Sequence, residues 1–104
     1  MSAQANSLRG ETEFTILGTS YILRPTFDAL VAAEEEVGSL FAIVDRASEG
    51  SLKIAEILAL LWHCIDPVQR PDRDALGKAI LENGLLASTK PVRMILAQVI
   101  KGRQ

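Results

Sequence analysis

The sequence predicts an α+β fold that is mostly α, with an N-terminal β-hairpin followed by about five short helices in a compact bundle. Three observations carry this. Apolar side chains alternate on both sides of Gly18. From Thr26 onward, a Ser, Thr or Asp repeatedly precedes an apolar stretch of helical period, and a Gly repeatedly follows it. One such stretch, Leu52 to Ile65, is apolar nearly all round, which places it in the middle of the domain.

Residues 1–8 read as a flexible tail and residues 9–104 as a single domain. Thr12 to Leu17 and Ser20 to Arg24 form the hairpin strands, with the reversal expected at Gly18-Thr19. Period-two alternation puts Phe14 and Ile16 on one face, shared with Tyr21 and Leu23. Pro25 ends the second strand because it lacks an amide hydrogen for the ladder. The outer edges of a lone hairpin can stay unpaired and accept another strand.

Thr26 is an N-cap for a helix over Phe27 to Val37, with Phe27, Leu30, Val31 and Val37 inward. Ser39 caps a second helix, Leu40 to Ser48, whose inner residues are Leu40, Ile43, Val44 and Ala47. Ser51 is expected to cap Leu52 to Ile65, which Asp66-Pro67 stops. Asp72 caps Arg73 to Asn83, and Leu85 and Leu86 are expected to pack against the end of that helix. Ser88 is expected to cap a last helix, Thr89 to Lys101, with Pro91 in its first turn. Val92, Ile95, Leu96, Val99 and Ile100 make its inner stripe.

Composition bounds the function. The chain has 104 residues, one ordinary domain, and 48% of them are apolar, enough for a core without metal or disulfide staples. A formal net charge of -2 argues against a role in gripping phosphate backbones. Cys64 is the single cysteine, so an intramolecular disulfide is impossible and a reducing, cytoplasmic setting is expected. No signal peptide is legible, and Ile54 to Ile65 is too short for a bilayer, which needs about 20 residues. No membrane role is expected.

Catalytic signatures are missing. His63 and Cys64 are adjacent on a helix, about 100° apart, and no second His completes a zinc site. Glu34, Glu35 and Glu36 diverge around a helix and read as a solvated face with Glu34 near the core boundary. No phosphate-binding glycine loop, nucleophile elbow or HExxH is present. A helix-turn-helix DNA reader is disfavoured, because Arg70, Arg73 and Lys78 are offset by Asp72, Asp74 and Glu82. The expectation is a protein that is not an enzyme, with no metal, cofactor or nucleic-acid partner.

Two surface features suggest a protein partner. Lys53, Glu56, Leu60 and His63 follow 3-4-3 spacing on the central helix, which predicts an exposed stripe carrying one apolar residue, Leu60. Leu17 and Ile22, on the hairpin face opposite Phe14 and Tyr21, and the acidic Glu35 and Glu36 complete the candidate contact residues. Charge is uneven, with acids from Asp28 to Glu49 and only bases from Lys90 onward. Ordinary solubility plus helix-end complementarity accounts for that; the sharper reading is head-to-tail self-association as a homo-oligomer or electrostatic choice of partner.

Arg9-Gly10-Glu11, the hairpin with Gly18, Tyr21, Leu23 and Arg24, then Thr26-Phe27-x-Ala29-Leu30 and Glu34 before Gly38-Ser39-Leu40 follow one another in order. Together these residues resemble the small tail proteins of gene transfer agents and related tailed phages of alphaproteobacteria, a group placed with phage tail assembly chaperones. The likeness extends through the Ile54 to Leu61 helix and the Asn83-Gly84-Leu85 turn to Gly102. It implies an assembly chaperone in the bacterial cytoplasm that binds the tape-measure protein and helps tail-tube subunits polymerise. The alternative is a structural tail component, either tube or minor tail protein, and the second alternative is a small DNA-binding regulator.

Overall fold

Two residues, Leu17 and Gly18, reverse the chain between β1 (Thr12–Ile16) and β2 (Thr19–Leu23) in a computed structural model that describes residues 10–102. The tail expected at residues 1–8 lies outside the described residues. Leu17 has φ 47° and Gly18 φ 83°, and positive φ at both central positions is the turn that matches strand twist. The reversal sits one residue earlier than expected, because Thr19 pairs with Ile16 and so belongs to the ladder. Phe14 pairs with Tyr21 at a ring separation of 6.3 Å, and Phe14, Ile16 and Leu23 are buried together as the alternation predicts.

The opposite face is covered at Ile22, while Glu13, Thr15 and Ser20 on it stay exposed. Ile22, expected at the surface, is 6% exposed. The segment after the central helix lies along β2: Arg24 N–H donates to Cys64 O (2.6 Å) and Asp66 N–H donates to Ile22 O (3.1 Å). Ile22 N–H donates to Gln69 Oε1 at 3.0 Å. These bonds occupy the outer edge of β2. They also draw Ile65 into an antiparallel bridge with Leu23, so the central helix ends at Cys64, one residue sooner than expected.

Five helices follow: α1 (Phe27–Val37), α2 (Leu40–Ser48), α3 (Ile54–Cys64), α4 (Arg73–Asn83) and α5 (Leu85–Lys101). Three begin as the caps predict. Thr26 Oγ1 accepts from Ala29 N–H, Ser39 Oγ from Ala42 N–H, and Asp72 Oδ2 from Ala75 N–H. Glu34 Oε2 also accepts from Leu40 N–H at 3.0 Å, so the end of α1 helps start α2.

Two helices start elsewhere than expected. Ser51 does not cap α3; its N–H and hydroxyl both donate to Arg46 O and finish α2. Glu56 supplies the α3 start instead, accepting from Lys53 N–H at 2.9 Å. Helix α5 begins at Leu85, with Gly84 alone between it and α4, at φ 95°. Ser88 is therefore a buried helical residue and not a cap. Pro91 lies inside α5, where its missing amide leaves the Ala87 carbonyl without a helical donor. Ala87 is exposed, so water can reach that carbonyl.

Helix α3 is the axis of the domain. Helices α1, α4 and α5 pack around it, α2 leans on α5, and β1 rests on α4 and α5. Leu60, Leu61 and Ile65 are fully buried, joined by Ile43, Leu76, Ile80 and Val92. Expected inner residues that fail to reach this core are Phe27 at 81% exposure and Leu86 at 85%; Ile100 is 46% exposed. Phe27 is the first residue of α1, ahead of the turns held against α3 by Leu30, Ala33 and Val37.

Candidate interaction surface

The stripe on α3 is covered from Glu56 onward. Lys53 is the exposed residue before α3, Glu56 is 4% exposed, Leu60 is 0% exposed, and His63 is half-buried. Leu60 is thus a core residue, and the expected apolar spot on that stripe does not exist. The reason is tertiary: α2 sends Arg46 to Glu56, and α1 sends Glu36 to His63.

Glu36 joins three helices. Its Oε1 contacts His63 Nε2 at 3.0 Å and accepts from Arg73 Nη1 at 2.9 Å, while Arg73 Nη2 bonds the other oxygen. The Arg73 guanidinium, with burial opposing and His63 assisting, holds the Glu36 carboxyl below its ordinary range. Trp62 Nε1–H donates to Pro71 O at 3.0 Å. The Arg70 guanidinium lies 4.6 Å and the Arg73 guanidinium 5.4 Å from the Trp62 ring centroid. Arg70 also donates to the carbonyls of His63 and Ile65. These contacts fasten α1, α3 and the loop before α4, so Glu36 and His63 bind the domain's own side chains.

The remaining candidates divide by exposure. Ile22 is sealed under the 66–69 loop. Leu17 is 53% exposed at the hairpin tip, and Glu35 is exposed on α1. Nothing at Cys64 suits nucleophilic chemistry at neutral pH. It is 1% exposed, and burial pushes its thiol up to about 12. Among the described residues no group of three or more His, Cys, Asp or Glu could hold a metal ion. No helix among them is long and apolar enough to cross a membrane.

Most of the exposed apolar surface lies away from the Lys53–His63 stripe and the hairpin. Phe27 (81%), Phe41 (72%), Val68 (93%) and Leu86 (85%) stand in solvent. A groove of about 470 Å³ runs between α2 and α5, walled by Val44, Ala47, Leu96 and Ile100, with Arg93 and Lys101 also lining it. Phe41 had a legible signal: in α2 it shares a face with Asp45 and Glu49, opposite Ile43 and Ala47. The groove had none, since α2 and α5 are far apart in the chain.

The family described as phage tail tube protein, GTA-gp10, matches residues 9–102. No curated protein and no solved structure matches the chain. The match supports the expected link to phage or gene-transfer-agent tails. It overturns the assembly-chaperone reading, because the family is one of tail tube proteins. The capping residues and glycines behind the original resemblance report a fold, and a fold does not separate a chaperone from a tube component.

Proposed function

We propose, from the premise that this chain belongs to the phage tail tube protein, GTA-gp10 family, that it is a structural subunit of a phage-like tail. Its partners are tail-tube subunits, and its role is contact without catalysis. The observation that carries this reading is the family match from residue 9 to residue 102. The tape-measure protein, expected earlier as a client, enters this reading only as a neighbour in the tail. The subunit is made in the host cytoplasm and leaves it in the finished particle.

The shape of the chain supports a particular kind of subunit contact. Its described sheet has two strands, and β2 is already edged by Ile65 and Asp66. Besides the outer edge of β1, contacts with neighbours can fall on the helices, where Phe27, Phe41, Leu86 and the α2–α5 groove offer apolar area. Quantitative mass spectrometry of purified particles tests the reading. The protein is expected in the tail fraction at a copy number comparable to the other tube components. Particles that carry complete tails and lack it would sink the proposal.

A further inference from the structure

We propose that the groove between α2 and α5 receives the acidic edge of α1 from a second copy of this chain, in a head-to-tail contact. The inference rests on the tail reading and names the partner of that surface.

The groove sets the chemistry of its occupant. Val44, Ala47, Leu96 and Ile100 make an apolar wall, and Ile100 is 46% exposed. Arg93 and Lys101 supply positive charge, and neither takes part in the ion pairs found among the described residues. A fitting occupant presents an apolar ridge flanked by carboxylates.

Helix α1 presents one. Phe27 is 81% exposed, half-buried Val31 follows one turn later, and Glu34 follows on the next turn. Asp28 and Glu35 are exposed beside this ridge. Asp28, Glu34 and Glu35 take part in no ion pair among the described residues, and Glu34 keeps one oxygen on Leu40 N–H. Phe41, Asp45 and Glu49 are a poorer match, because they stand on the helix that already forms one wall of the groove.

Ridge and groove share no residue. One copy can give its α1 to one neighbour while its groove holds the α1 of another. Such a heterologous contact propagates into a ring or a filament, as a tail requires, and does not stop at a two-fold dimer.

Sedimentation velocity on the full chain, over a concentration series at low salt, tests this. Association is expected, weakening as salt screens the charges. Arg93→Glu with Lys101→Glu should lower the association constant at least about tenfold, and Asp28→Lys with Glu35→Lys should do the same, leaving the Glu34 bond to Leu40 N–H intact. Mixing the two reversed proteins should restore association, which neither shows alone. Circular dichroism checks that each variant stays helical. A chain that remains monomeric throughout overturns the proposal. So does association indifferent to both reversals, or a mixture that fails to recover. Particle composition is read separately. Tails containing the protein, with self-association unaffected by the reversals, remove the groove contact alone. Particles without the protein remove the tail reading, whatever the sedimentation result.

Discussion

Arg46 on α2 grips Glu56 on α3 through both nitrogens of one guanidinium edge, with Nε donating to Oε1 at 3.3 Å and Nη2 bonding Oε2. The Glu56 side chain is 5% exposed, and its Oε1 also accepts from Lys53 N–H. One carboxylate therefore starts α3 and ties α2 to it.

Replacing Glu56 with Ala should destabilise the domain by about 2–3 kcal/mol, a buried-pair cost reduced for partial exposure of Arg46. Urea unfolding of this variant and of Arg46→Ala, combined in a double-mutant cycle, measures the pair. Equal stability of wild type and Glu56→Ala would mean the pair is structurally idle.

The same carboxylate sets a pH dependence. Burial raises the Glu56 carboxyl, but the Arg46 guanidinium and the Lys53 amide outweigh it, and the net displacement is below the ordinary 4.5. A depressed folded-state value means the unfolded chain binds the proton more readily. The stabilisation is therefore complete above pH 4.5 and is lost as pH falls through the lower folded-state value. Glu36, lowered chiefly by Arg73, acts in the same direction. Urea midpoints should hold above about pH 5 and fall as pH drops through 4.5 and below, and Glu56→Gln should flatten the curve.

Leu60 is fully enclosed, so Leu60→Ala should cost about 2–5 kcal/mol by loss of burial and a residual cavity. Leu60→Glu should abolish the folded helical signal. Retained circular dichroism and an unchanged melting temperature in Leu60→Glu would place this residue at the surface after all.

Leu17 holds φ at 47°, a left-handed conformation that Leu seldom adopts, and its side chain is 53% exposed. Leu17→Asn creates the Asn-Gly pair favoured in this turn. It should stabilise the domain by about 0.5–1 kcal/mol, seen as a rise of a few degrees in Tm. A lower Tm would show that Leu17 makes a stabilising contact in the folded chain.

Cys64 should resist a thiol reagent at pH 8 while the protein is folded, since it is enclosed and its thiol is pushed up to about 12. Added urea should release one reactive thiol per chain, with the labelled fraction tracking loss of helix. Rapid labelling without denaturant would reveal an opening of the core around Cys64, beside Ala29 and Ala32 of α1.

Much of the fold was legible because capping is local. Thr26, Ser39 and Asp72 each satisfy an amide three residues away, and their helices begin as expected. Ser51 and Ser88 offered the same cue and were outvoted. Ser51 found the Arg46 carbonyl, and Ser88 was absorbed into α5 as it ran back to Gly84. The interaction candidates were less legible. Leu60 and Ile22 were assigned to the surface by periodicity, which reports a residue's face but not what covers that face.

By itself the sequence determined the order of hairpin and helices, the apolar character of α3, and the absence of a familiar catalytic motif. These depend on interactions within a few residues and on side-chain type. Only the tertiary structure decided that α1 and α2 reach the Glu56–His63 part of the stripe, that the 64–69 segment edges β2, and that α2 and α5 leave a groove between them. Those features arise where segments distant in the chain meet, and burial free energy is summed over such meetings and not over neighbours in sequence.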